Sequence, residues 1–111
     1  MHFIITKDLI NTAPGEKNRV GFKRANKVWQ EEFKAATPEF KESMLAEFKA
    51  KMTDEFQLFD DDDNLYYEGL CHDLDNAEAD AAFYPLDWAM NDVGATTMKT
   101  RKIGATKWEV L

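Results

Sequence analysis

Apolar and polar positions along this chain change period several times, and the changes mark its elements. Phe3, Ile4 and Ile5 are consecutive β-prone residues, so residues 2–6 predict a first strand. Asn11-Thr12-Ala13-Pro14-Gly15 is a loop by composition. From about Asn18 the period becomes helical: Phe22, Ala25, Trp29, Phe33 and Ala36 recur at steps of three and four, with Val28 beside them. Thr37-Pro38 interrupts that run, with Thr37 suited to cap a second helix and Pro38 to its first position. Phe40, Met44, Leu45, Phe48 and Met52 then form one stripe, which predicts an αα-hairpin over 18–53.

The period shortens to two in the middle of the chain. Residues 55–59 and 65–70 predict a hairpin around Asp60-Asp61-Asp62-Asp63-Asn64, with Phe56 and Leu58 on one face and one of Tyr66 and Tyr67 turned to the core. Asp75 opens the next helix, with Glu78 at the spacing of a capping box. Ala79, Ala82, Phe83, Leu86, Met90 and Val93 form its apolar face, and Gly94 ends it. Pro85 either kinks this helix or starts a second one near Phe83-Tyr84. Residues 96–102 and 107–111 predict a closing hairpin, Met98 sharing a face with Thr100 and Trp108 with Val110. The expected order is β-α-α-β-β-α-β-β. The expected fold class is α+β, a mainly antiparallel sheet of about five strands with helices on one face.

Composition narrows the class further. A chain of 111 residues, 44% apolar with eight Phe, three Trp and three Tyr, is expected to form a single domain over 1–111. Cys71 is the only cysteine, which rules out an internal disulfide and favours a reducing compartment. No apolar run approaches the ~20 residues of a membrane span, and the first residues lack the features of a signal peptide. A cytoplasmic protein with no membrane association is expected.

Charge is divided sharply along the chain. The net charge is −7, yet residues 54–98 hold thirteen Asp/Glu and no Lys or Arg. Residues 1–53 and 99–111 each sum to +3. So one-sided a stretch repels phosphate and attracts basic surfaces, which disfavours direct nucleic-acid binding through the middle of the chain. A plain solubility role for the acidic residues is the competing explanation.

Chemical motifs are sparse. An EF-hand loop beginning at Asp60 matches at Asp62 and Asn64, then has Leu65 where Gly is needed and Cys71 where Glu is needed. Cys71-His72-Asp73 holds the residue types of a nucleophile, a base and an orienter, but side chains of adjacent residues diverge and do not form a relay. One Cys and two His give no zinc spacing. No catalytic residue, metal or cofactor is therefore expected. Tyr66, Tyr67 and Trp88 are aromatic candidates for contact anchors, with core packing as the plainer reading of Trp88.

The stretch Phe56-Gln57-Leu58-Phe59-Asp60-Asp61-Asp62-Asp63-Asn64-Leu65-Tyr66-Tyr67-Glu68-Gly69, followed by Phe83-Tyr84-Pro85-Leu86-Asp87 and the closing hairpin, resembles short uncharacterised proteins carried by bacteria, phages and plasmids. The resemblance covers 1–10 and 55–111, and leaves 18–53 as an insertion or replacement. Those proteins often have Gly where Asp63 stands. The resemblance implies a fold and a mobile-element origin, and it brings no activity or catalytic residues.

These features converge on a non-enzymatic acidic binding protein. The expected interface comprises Asp60, Asp61, Asp62, Asp63, Tyr66, Asp73, Asp80, Tyr84 and Asp87. The expected partner is a basic protein, of the kind that handles nucleic acid in a host cell, inhibited by carboxylates standing in for phosphates. One alternative is an oligomerising structural protein whose Phe/Met stripes meet a second copy. Another is a small enzyme built on Cys71.

Overall fold

The structure is a computed structural model describing residues 3–24, 27–72, 74 and 82–111. Its elements run β1 (Phe3–Asp8), β2 (Gly21–Arg24), α1 (Lys27–Ala35), α2 (Pro38–Ala50), β3 (Asp54–Phe59), β4 (Leu65–Cys71), α3 (Tyr84–Val93), β5 (Thr97–Lys102) and β6 (Glu109–Val110). The strands form one sheet in the order β2-β1-β4-β3-β5-β6, and every neighbouring pair is antiparallel. The expected α+β class and the antiparallel sheet are therefore present.

Two features depart from the expectation. The run expected to be helical from Asn18 begins instead as β2, pairing Gly21 with Ile5 and Phe22 with Ile4. Gly21 has φ +135°, outside helical geometry and in a region L side chains rarely adopt, and the helix described after it is Lys27–Ala35. Ala25, placed in the expected stripe, lies outside the described residues. The helices are also divided between the two faces of the sheet instead of sharing one. Phe3, Ile5, Phe56, Leu58, Tyr67, Cys71 and Met98 pack with Leu86 and Ala89 of α3 on the first face. Ile4 packs with Phe48 of α2 and Met52 just beyond its end on the second, where Trp29 of α1 and Leu70 join them.

The consecutive apolar residues of β1 explain this split. Neighbouring residues of a strand point to opposite faces, so Phe3-Ile4-Ile5 cannot be buried by helices on one side alone. The sheet consequently carries β1 inside it, with the short strands β2 and β6 at its edges. β1 and β4 pair closely because Gly69 has no side chain. A Cβ there would meet the Ile4 carbonyl oxygen and Phe56 Cζ, both at 2.3 Å.

Local signals act as expected in several places. Thr37 caps α2, its Oγ1 accepting from the Phe40 amide at 3.3 Å, and Pro38 occupies the first turn. Pro85 lies in the first turn of α3, after Phe83 at φ −92° and ψ 3°, so it starts a helix. Gly94 ends α3 in left-handed geometry at φ 74°. The capping box expected at Asp75 and Glu78 lies outside the described residues, as does Ala79.

Candidate functional site

The loop between β3 and β4 is a rigid turn built around one of its own carboxylates. Asp60 Oδ1 accepts from the Asp62 amide at 2.9 Å and the Asn64 amide at 2.8 Å. Its Oδ2 accepts from Asn64 Nδ2 at 2.9 Å and the Tyr66 hydroxyl at 3.0 Å. The Asn64 side chain and amide, with Tyr66 and Asp62, hold the Asp60 carboxyl below its ordinary pKa. The same contact raises the Tyr66 hydroxyl pKa. Asp63 takes φ 60°, the left-handed geometry that glycine adopts without strain. Asp60 is thereby committed to the turn, and Asp61, Asp62 and Asp63 are left exposed on it. None of these three makes an ion pair among the described residues.

Three other carboxylates of the acidic stretch, Asp54, Glu55 and Asp92, are met by cations from the flanking basic segments. Across the β3–β5 pair, Asp54 is opposite Lys102 and Glu55 is opposite Arg101, and both pairs form ion pairs. Asp92 on α3 is bound by Arg19 at 3.0 Å. Asp92 also accepts from the buried Tyr67 hydroxyl at 2.9 Å. Burial, together with this bond, raises the Tyr67 pKa strongly.

Arg19 belongs to a loop organised by the buried Asp8 at the end of β1. The Asp8 carboxylate accepts from the Ile10, Asn11 and Arg19 amides and from Asn11 Nδ2, at 2.9–3.0 Å. Burial alone would raise its pKa. The bonds from Asn11, Arg19 and Ile10 outweigh that and lower it.

The other residues of the expected interface divide as follows. Tyr66 is half-buried against the first-face core, as is Tyr84 at the start of α3. Asp87 is exposed on α3. Asp73 and Asp80 lie outside the described residues. Trp88 packs against Phe3 and Tyr67, with ring centroids 6.2 and 5.0 Å apart, which is the core role. Cys71 is wholly buried, and burial pushes its thiol up to about 12, far from a reactive thiolate.

A second group of polar residues occupies the part of the second sheet face beyond the helix pair. Thr6, Gln57, Glu68, Glu55, Arg101 and Trp108 line a cleft of about 160 Å³. Arg101 lies on the Trp108 ring, 4.2 Å from its centroid, while ion-paired with Glu55. Gln57 Nε2 donates to Glu68 Oε1 at 3.3 Å. The expected interface omitted these residues. Their signal was the alternation of Glu55 with Gln57 and of Lys99 with Arg101, the outward positions between the inward Phe56, Leu58, Met98 and Thr100.

Comparison with protein-family models, with curated proteins and with solved structures finds no match.

Proposed function

We propose that this is a non-enzymatic binding protein that presents the carboxylates of Asp61, Asp62 and Asp63 to a basic protein surface. The observation that carries the reading is the contrast within the acidic segment. Asp54, Glu55 and Asp92 are neutralised by Lys102, Arg101 and Arg19, and Asp60 is spent on the turn. The three tip residues remain exposed on a frame fixed by four hydrogen bonds. Carboxylates held this way attract a cationic surface at no cost of ordering the turn on contact, which raises the association rate and favours basic partners. The basic surfaces that consecutive anions suit best are those that hold nucleic-acid phosphates. The partner class is therefore a host protein that handles nucleic acid, blocked by charge mimicry. Burial of the Cys71 thiol weighs against the alternative of a cysteine-dependent enzyme.

The test is capture from bacterial lysate at low and high salt, with the wild type beside an Asp61→Asn, Asp62→Asn, Asp63→Asn triple variant. Expected is a basic protein retained by the wild type at low salt only, whose nucleic-acid binding is blocked by the wild type and spared by the variant. Equal retention by the two, or none by either, overturns the reading.

One observation favours homo-oligomerisation as a second reading. Phe40 at the start of α2 is 56% exposed and borders an open groove with Ala35, Ala36 and Thr37, and Val28 on α1 is 63% exposed. Light scattering across the micromolar range checks it, and a monomer throughout removes it.

A further inference from the structure

The cleft on the second sheet face carries a more specific assignment, which rests on the basic-partner reading above. Its size comes first. Sites for small metabolites and cofactors enclose about 300 Å³ or more. At about 160 Å³ this cleft is too small for them and fits one long side chain.

Its charge comes next. Of the residues lining the cleft, Glu55 and Glu68 are anionic and Arg101, committed to Glu55, is the one cation; Lys7 stands across from Glu68 on β1 at the cleft's margin and makes no ion pair with it. Glu68 makes no ion pair among the described residues, and its one side-chain bond is the amide of Gln57. The lining residues thus sum to one negative charge, on a half-buried carboxylate without an ion pair, with an indole also lining the cleft. A half-buried carboxylate selects a guanidinium over an ammonium. The planar group bonds both carboxylate oxygens, whereas an ammonium acts as a point charge and holds its water more tightly. Arg101 shows that this face accommodates a guanidinium, lying on the Trp108 ring while paired with Glu55.

We infer that the cleft receives an arginine side chain of the basic partner, its guanidinium on Glu68 and its stem along Thr6 and Gln57. The tip carboxylates attract the basic surface, and the cleft reads one residue of it.

A capped Gly-Arg-Gly peptide, with its Gly-Lys-Gly counterpart, is titrated at low salt into the full-length ¹⁵N-labelled protein, followed by NMR. Expected are shifts at Thr6, Gln57, Glu68 and the Trp108 indole N–H with the arginine peptide. Glu68→Gln keeps the side-chain shape and the acceptor for Gln57, and weakens binding about tenfold, the scale of one charge-assisted hydrogen bond. The Asp61–Asp63 triple variant leaves the cleft shifts in place. Shifts confined to the tip, equal binding of the lysine peptide, or no response at the cleft each overturn the inference. Lysate capture that survives alongside a silent cleft discards the cleft alone. A responsive cleft without capture discards the tip reading alone.

Discussion

Replacing Asp8 with Asn tests whether one buried carboxylate anchors the long loop to the sheet. Asp8 is 6% exposed, and its two oxygens accept four bonds, three of them from backbone amides. Asparagine has one acceptor oxygen, so its amide group must face two of those donors. Hydrogen bonds to a charged group contribute about 1.5–3 kcal/mol each, and two are lost. The loop can open to water and recover part of this, which leaves a cost of about 2–4 kcal/mol. For a chain of this length that corresponds to a drop in Tm of roughly 8–16 °C. The pH dependence has a definite sign. The folded pKa of Asp8 is lowered, so its contribution is complete above the unfolded value of about 3.9 and is lost as pH falls through the lower folded value. Thermal melts of both proteins from neutral pH downward are the assay. The gap between them is widest near neutrality and narrows in acid. Equal melting at neutral pH, or a gap that stays constant in acid, refutes the assignment.

Three further outcomes follow from close packing and backbone geometry. Gly69→Ala is expected to cost about 3 kcal/mol or more, because the new Cβ meets a backbone oxygen that no side-chain rotation can move; urea denaturation measures it, and a cost below about 1 kcal/mol contradicts the packing. Cys71 is expected to resist alkylation at mildly alkaline pH in the folded protein and to react on unfolding, as followed by mass spectrometry. Asp63→Gly is expected to stabilise by about 1 kcal/mol through relief of the left-handed backbone, while weakening capture of a basic partner; a gain in stability with undiminished capture would remove Asp63 from the interface.

The sequence made legible what local chemistry controls. Thr37-Pro38 marks a helix start, Pro85 another, Gly94 a helix end, and the Asp60–Asn64 run a turn, because each signal acts within a few residues. β2 was hidden because Phe22 and Trp29 happen to fit a helical period, and only the pairing of Gly21 and Phe22 with β1 decides otherwise. The placement of helices on two faces was implied by the unbroken Phe3-Ile4-Ile5 run, but the choice of helix for each face depends on contacts between distant segments. The cleft needed the same long-range information, since Arg101 and Glu55 are 46 positions apart.

The charge map of the chain and that of the fold differ for one reason. β3 pairs with β5, and that register sets Asp54 and Glu55 against Lys102 and Arg101, and Gln57 against Lys99. Opposite charges at facing positions stabilise a sheet, and a shift of one residue would leave one such pair in place of two and turn apolar side chains out of the core. The basic C-terminal strand therefore does for the acidic middle what a separate counterion would do, and it does so only along the strands. The turn beyond the end of β3 has no facing strand, so its carboxylates have no cross-strand cation to meet. Uncompensated negative charge collects at that tip because the register cannot reach it. A binding surface that depends on charge is consequently sought at the turn and at Glu68, whose β3 neighbour is the neutral Gln57 and whose β1 neighbour, Lys7, makes no ion pair with it.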